Sequence, residues 1–93
     1  MSITLDSVVL RKDNGLMGGE MGNETVLMDM NTGDYLGLNS VGSSIWKILT
    51  TPTKVTNICE QLQAEYNIDD KTCQAETLKY LGVLEAENML EIQ

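Results

Sequence analysis

The plainest absence in this 93-residue sequence is histidine, which does not occur. Histidine is the commonest general base near neutral pH and a frequent metal ligand, so both kinds of site lose their usual residue. Cys59 and Cys73 have no histidine to activate them and no metal-ligand spacing, and we expect buried free thiols. Gly18-Gly19 is not followed by the Gly-Lys-Ser/Thr of a phosphate-binding loop. We therefore predict a non-enzyme that holds no metal and no cofactor.

Positive charge is also scarce. Six lysines and arginines stand against fourteen aspartates and glutamates, which gives a net charge of −8. Because phosphate binding is driven by basic side chains, this balance argues against nucleic acid as a partner. The acidity is compatible with simple solubility, and equally with steering a basic partner towards the surface.

Long apolar runs are missing too. No stretch approaches the twenty apolar residues of a membrane-spanning helix, and residues 1–13 lack the basic start and apolar block of a secretory signal. The sequence therefore predicts a cytoplasmic protein with no membrane partner. The length and the 42% hydrophobic content predict a single domain, residues 1–93, with one modest core.

The most informative stretch that is present, Thr25–Trp46, predicts a β-hairpin that leads directly into a helix. Thr25–Met30 is rich in β-branched and apolar residues and is typical of a strand. Asn31–Asp34 predicts a turn, in which Gly33 can take a positive φ. Tyr35–Leu38 is then the returning strand.

Pairing Met30 with Tyr35 gives this hairpin two largely apolar faces. One face carries Leu27, Asp29, Leu36 and Leu38, and the other carries Val26, Met28, Met30 and Tyr35. A small antiparallel sheet needs only one apolar face. Either the strands are buried on both sides, or one side or the strand edge receives a partner.

Ahead of the hairpin, Ser7–Lys12 and Leu16–Met21 are expected to be short strands, the second weakened by its glycines. Turn signals follow them at Asp13-Asn14-Gly15 and Gly22-Asn23. Residues 1–6 are expected to be frayed.

Three helices are predicted after the hairpin from the spacing of apolar residues. They span Ser40–Leu49, Lys54–Glu65 and Asp70–Ala86. Asn39 or Ser40, Thr53, and Asp69 or Asp70 are the respective candidate N-caps. The tail Asn88–Ile92 is expected to form a short turn that closes the core.

Two residues of the first predicted helix have specific expectations. Gly42 lowers helix propensity, and a close approach to the sheet would explain its presence. Trp46 is expected to lie in the core or at its edge.

The third predicted helix has a mixed flank beside its core stripe. The core stripe is Cys73, Thr77, Leu81 and Leu84, and the flank is Glu76, Tyr80 and Val83 at positions i, i+4 and i+7. Such a flank is either a half-exposed helix edge or the wall of a groove.

The order of these elements predicts an α+β, winged-helix-like fold with a three-stranded antiparallel sheet followed by three helices. A DNA-binding role is disfavoured, because Asp70–Ala86 carries three acids against two lysines. A short sheet can instead accept an extended peptide as an added strand. Tyr35–Leu38 is the natural edge for it, because the chain leaves this strand for a helix, and Gly37 would leave room above it.

The run VLMDMNTGDYLGLNSVGSSIW, with its strand–TG–aromatic–GLN–xxG–xx–IW pattern, resembles the PqqD-like family, the RiPP recognition elements. It is most similar to the stand-alone members from lasso-peptide gene clusters. The resemblance covers about three quarters of the chain. It departs from the family in its frequent methionine, in Glu76 where relatives often have Asp, and in Gly82 inside the third helix.

This resemblance implies non-catalytic binding of a precursor's leader segment as a strand in the cleft between the third sheet strand and the third helix. The implied peptide-binding residues are Asp34, Tyr35, Leu36, Gly37, Leu38, Glu76, Tyr80, Val83 and Leu84. Asp34 and Glu76 would face basic leader positions, and a leader Tyr-x-x-Pro motif would need apolar pockets.

The resemblance also implies partner enzymes. In a lasso system the domain acts as a peptide chaperone, presenting the leader to a transglutaminase-like cysteine protease, the leader peptidase. The alternatives are a carrier for a radical-SAM peptide-modifying enzyme and, less in keeping with the charge, a winged-helix transcriptional regulator. A free strand edge also favours a homodimer in the absence of leader.

Overall fold

The computed structural model of the chain describes residues 3–12, 16–22 and 24–93. Within these ranges the elements are β1 Val8–Arg11, β2 Leu16–Met21, β3 Glu24–Asp29, β4 Tyr35–Leu38, α1 Ser40–Ile48, β5 Thr53–Lys54, α2 Val55–Glu65, α3 Asp70–Ala86 and β6 Leu90–Ile92. The predicted turn Asp13-Asn14-Gly15, Asn23 of the second turn, and residues 1–2 of the segment expected to be frayed lie outside the described residues.

The main sheet is an antiparallel meander in the order β2-β3-β4, and the three helices follow it. This confirms the predicted α+β, winged-helix-like fold. Tyr35 pairs with Met28 rather than with Met30 as expected, since β3 ends at Asp29. The expected register was therefore wrong by two residues. A shift of two leaves every side chain on its predicted face, because side chains alternate with a period of two.

The turn between β3 and β4 is closed by backbone hydrogen bonds at Asp29. The N–H of Asp29 donates to the carbonyl of Asp34 at 2.8 Å, and the N–H of Gly33 donates to the carbonyl of Asp29 at 2.8 Å. Gly33 has a φ of +81°, the positive value expected of it. A glycine takes this conformation without the steric cost that a Cβ brings.

A second small sheet, in the order β5-β1-β6, joins distant parts of the chain. Val9 of β1 pairs with Thr53 on one side and with Ile92 on the other. The turn expected over Asn88–Ile92 was therefore wrong for Leu90–Ile92, which form β6 and complete a sheet, whereas the expected closing of the core is confirmed by the buried Met89 and Leu90. The fraying expected for residues 3–6 was also wrong: Ile3 and Leu5 pack against the core, and the N–H of Thr56 donates to the carbonyl of Leu5.

The core lies between the inner face of the main sheet and the three helices. Its fully buried side chains include Leu27, Leu38, Ile45, Leu49, Ile58, Leu62, Leu81 and Leu84. Trp46 is buried, as predicted, and the Arg11 guanidinium lies 4.9 Å from the centroid of its ring. Within the described ranges, no helix combines the length and apolarity that crossing a bilayer needs.

Helix caps follow the predicted chemistry in two of three cases. Asn39 caps α1 by accepting from the N–H of Gly42, and Asp69 caps α3 by accepting from the N–H of Thr72. Hydrogen bonds from the side chain and the backbone of Thr72 lower the pKa of Asp69. The expected cap at Thr53 was wrong: α2 begins after Lys54, which makes no side-chain capping bond, while Thr53 belongs to β5.

Candidate functional site

The site begins at β4, the terminal strand of the main sheet. Among the described residues, β4 pairs only with β3, so its other edge has no neighbouring strand. An edge of this kind presents backbone N–H and C=O groups that an added strand can pair with.

The hydrogen-bond pattern of the hairpin identifies which groups face this open edge. In an antiparallel pair, hydrogen-bonded and non-hydrogen-bonded residue pairs alternate. The bond from Asp29 N–H to the carbonyl of Asp34 makes that pair hydrogen-bonded. The Met28–Tyr35 and Val26–Gly37 pairs are then of the other kind. The N–H and C=O of Tyr35 and Gly37 consequently point away from β3, towards the open edge.

The two faces of β4 differ sharply. Leu36 and Leu38 point to the helix side, where Leu38 is buried and Leu36 is half-buried. Tyr35 is 73% exposed on the outer face, beside Met28, which is 41% exposed. The strands are therefore buried on one side only, and the outer face is open and apolar.

A cavity of about 260 Å³ lies near the end of β4, between α1, α2 and α3. It is lined by Asn39, Val41, Leu62, Ile68, Thr72, Cys73, Glu76 and Tyr80. Asn39 directly follows β4, while Glu76 and Tyr80 come from the flank of α3. The fold thus brings the predicted helix wall to the point where the edge strand ends.

Tyr80 lies directly against the first turn of α1. A Cβ built on Gly42 would stand 2.7 Å from Cε1 of Tyr80 and 3.1 Å from its Cδ1 and Cζ. The close approach expected for Gly42 is therefore real, but its partner was predicted wrongly. Gly42 accommodates the ring of Tyr80 from α3.

The Tyr80 hydroxyl lies in a partly desolvated environment near the carboxylate of Glu76. Burial raises the pKa of Tyr80, the nearby charge of Glu76 raises it further, and a hydrogen bond with Asn39 partly offsets both. The neutral hydroxyl is therefore the stable form at physiological pH. It offers the cavity a hydrogen-bonding group among mainly apolar side chains.

The remaining predicted site residues do not line this cavity. Asp34 is exposed in the turn before β4. Val83 is 38% exposed on α3, whereas Leu84 is buried and can only support the wall from behind. Neither Val83 nor Leu84 lines the cavity.

Most residues of the cavity wall were not predicted from the sequence. Asn39 was predicted only as a helix cap, Cys73 only as a core position, and Val41 and Leu62 only as two of the apolar residues whose spacing predicts the helices. Ile68 and Thr72 had no assigned role. Their convergence depends on how three helices pack, and the capping asparagine followed by a glycine in the first turn of α1 was the one local signal available.

The two cysteines are close together under this cavity. Cys59 and Cys73 are buried free thiols, as predicted, and the Cys73 thiol donates to the carbonyl of Cys59 at a distance of 3.6 Å from Sγ to oxygen. Burial raises the pKa of Cys73, and Cys59 adds to the effect. The Cys73 thiol is therefore a poor nucleophile. In the described part of the chain, no three His, Cys, Asp or Glu side chains are grouped to hold a metal ion.

A second, polar cavity of about 350 Å³ lies on the other side of α1. It is lined by Gly22, Ser40, Ser43, Ser44, Lys47, Glu65 and Tyr66. The Tyr66 and Ser44 hydroxyls are 2.9 Å apart, and the Tyr66 hydroxyl donates to the carbonyl of Ser40. These hydrogen bonds join α1 to the end of α2, so the hydroxyl groups of this cavity have a structural role.

Comparison with known proteins gives a family and two solved relatives. The sequence profile of the family described as coenzyme PQQ synthesis protein D (PqqD) matches residues 24–90. A structure of TbiB1 in complex with the TbiA(beta) leader peptide matches with a TM-score of 0.77 and 30% identity, covering 88% of this chain and 94% of that one. A structure of lasso peptide synthetase B1 complexed with the leader peptide matches with a TM-score of 0.76 and 17% identity, covering 89% and 96%. No curated protein matches the sequence.

Proposed function

The chain belongs to the PqqD family, and from this premise we propose that it is a RiPP recognition element that binds the leader of a ribosomally made precursor peptide. The leader adds as a strand to the open edge of β4. The observation that carries this proposal is the orientation of Tyr35 and Gly37, whose N–H and C=O groups point towards that edge. The structure of TbiB1, 30% identical to this chain, is a leader-peptide complex, which supports the same ligand class here.

Backbone pairing at this edge would supply affinity with little demand on sequence. Two residues of β4 offer one donor and one acceptor each, so four hydrogen bonds are available to an added strand. Gly37 has no heavy atom within 4 Å of the position where a Cβ would stand. A peptide backbone can therefore approach this residue without a steric conflict.

The cavity beside Asn39 would supply specificity. Its walls combine aliphatic side chains with the edge of Tyr80 and the carboxylate of Glu76. One apolar or aromatic leader side chain fits a volume of about 260 Å³. Glu76 and Asp34 are exposed acids at the two ends of the site, and they would pair with basic leader positions.

The domain would act by delivery and not by catalysis. Burial raises the pKa of the Cys73 thiol and the sequence contains no histidine, so the bound leader would be presented unchanged to a separate enzyme. In a lasso pathway that enzyme is the leader peptidase, a transglutaminase-like cysteine protease. A radical-SAM modifying enzyme is the alternative recipient.

We further propose that residues 1–93 form one peptide-recognition domain, which pairs with itself through β4 when no leader is present.

The experiment that tests strand addition is a scan of the leader by backbone N-methylation, with affinity measured by titration calorimetry. In an added strand only alternate residues direct their N–H towards β4. Methylation at those residues should weaken binding by tenfold or more, which corresponds to about 1.4 kcal/mol. Methylation at the residues between them is the matched control and should change affinity less than threefold. Gly37→Pro, which removes one edge donor from the protein, should reproduce the loss.

Three other outcomes would decide against parts of the proposal. Methylation effects without a period of two would exclude strand addition while keeping leader binding. No binding of the leader encoded beside this protein would reject the function itself. Sedimentation that shows only monomer at high concentration without leader would reject the self-pairing.

A further inference from the structure

Gly42 and Asn39 form a single structural unit with Tyr80. Both Asn39 and Gly42 belong to the start of α1, and a hydrogen bond of 3.0 Å joins the Gly42 N–H to Asn39 Oδ1. The Tyr80 ring, from the other end of the sequence, lies against Gly42 so closely that a Cβ there would be 2.7 Å from Cε1. The first turn of α1 therefore fixes the place of a side chain on α3.

We propose that Asn39 and Gly42 are positioning residues of the leader site, which seat the Tyr80 ring against α1 and so keep the adjoining cavity open for a leader side chain. This inference rests on the proposed function. It adds that the affinity for leader depends on Gly42, which does not line the cavity, and on Asn39, which does, through their effect on the position of the Tyr80 ring.

The cavity explains why the seating of Tyr80 matters. Tyr80 and Asn39 both line it, so the ring forms one wall and the space next to it is empty. Protein interiors resist overpacking, and a ring displaced from Gly42 moves most easily into the nearest free volume. An added methyl group at position 42 would therefore narrow the cavity at a smaller cost to folding than to binding.

Asn39 lines the same cavity as the Tyr80 ring. The interaction of the Asn39 side chain with the Tyr80 hydroxyl partly offsets the rise that burial causes in the pKa of Tyr80. An asparagine can serve both partners, because its side chain carries an acceptor and two donors. A serine at position 39 would still cap α1 but is too short to hold the Tyr80 hydroxyl.

The central test is Gly42→Ala against its matched control, Gly82→Ala. Gly82 lies on the exposed side of α3, where an added Cβ meets nothing within 4 Å. Gly42→Ala should weaken leader binding at least tenfold, with a far-UV circular dichroism spectrum like that of the wild type. Gly82→Ala should bind within twofold of the wild type. Equal affinities in Gly42→Ala, Gly82→Ala and the wild type would overturn the inference.

Asn39→Ser tests positioning separately from helix capping. It should reduce leader affinity about threefold to tenfold and raise the pKa of Tyr80, followed by NMR of the labelled tyrosine ring during a pH titration. A purely structural role for Asn39 would leave the Tyr80 resonance and its titration unchanged. That result would overturn the inference even if Gly42→Ala failed to fold.

A double-mutant cycle tests whether Gly42 acts on leader affinity through the Tyr80 ring. In a Tyr80→Ala background there is no ring to displace, so Gly42→Ala should bring no further loss of affinity. A full additional tenfold loss would show that Gly42 acts by another route. If wild-type protein does not bind its leader at all, the proposed function fails; if the wild type binds and Gly42→Ala binds equally well, only the positioning role fails.

Discussion

Three glycines of this chain have three different physical surroundings. Gly33 takes a positive φ in the turn between β3 and β4. Gly42 leaves space for the ring of Tyr80, and Gly82 has open space where its Cβ would be. The conformational cost of glycine in a helix is offset by a contact at position 42 and by no intramolecular contact at position 82.

Gly82→Ala should therefore stabilise the protein. Alanine is favoured over glycine in a helix interior by about 0.5–1 kcal/mol, and the new methyl group meets no neighbour. The free energy of unfolding from urea titrations measures the gain. A loss of stability would contradict the open space found around a Cβ at position 82.

Tyr80 should make the folded state sensitive to alkaline pH. Burial and Glu76 raise the pKa of Tyr80 in the folded protein, so the unfolded chain ionises first. The contribution of Tyr80 to stability is complete below a pH of about 10 and is lost as pH rises through the folded-state pKa. Tyr80→Phe should lose less stability than the wild type between pH 9 and pH 11, as measured by urea unfolding. Equal losses in the two proteins would contradict the assignment.

At the scale of elements, the sequence predicts well what local patterns determine. Apolar spacing and caps place Asp70–Ala86 without error, and alternation places Tyr35–Leu38 without error. The pairing of Tyr35 was missed by two residues, because faces alternate with a period of two and either register satisfies the apolar pattern. The strands β5 and β6 are two and three residues long, and only distant partners make them strands.

The candidate site was likewise predictable from the sequence where it depends on local patterns, and not where it depends on packing between distant residues. The edge strand and the α3 flank were predictable, because each lies on one element. The cavity was not, since Leu62, Ile68 and Cys73 line it only after α2 and α3 pack together. The contact between Gly42 and Tyr80 joins positions 38 residues apart, which no local pattern encodes.

The hairpin turn gives a prediction at this scale. Gly33→Ala forces a side chain into a φ of +81° and should destabilise the protein by about 1 kcal/mol. Gly33→Asn is the matched control, and it should cost less because asparagine tolerates this conformation. Thermal and urea unfolding of the three proteins measure the order. Equal stability of Gly33→Ala and the wild type would show that the turn can adopt another conformation.

At the scale of the whole molecule, the dominant property is the net charge of −8. A basic leader would be attracted over a distance set by salt screening, about 10 Å at 0.1 M ionic strength. The association rate should therefore fall several-fold between 20 mM and 500 mM salt while the dissociation rate changes little, as measured by stopped-flow fluorescence. A leader whose lysines and arginines are replaced by glutamine should lose this dependence. An unchanged association rate for the basic leader would exclude electrostatic steering.

The small sheet β5-β1-β6 has a consequence for how the chain folds as it is synthesised. The hairpin β3-β4 pairs residues that leave the ribosome almost together, and α1 follows at once. β1 is made before either, yet its partners lie 44–46 residues further along in β5 and 79–83 residues further along in β6. Closing such long loops is slow compared with forming a hairpin. β1 is thus synthesised before the other described strands but is the last to complete its pairing. One edge of β1 stays unpaired in the growing chain until β6 has been synthesised.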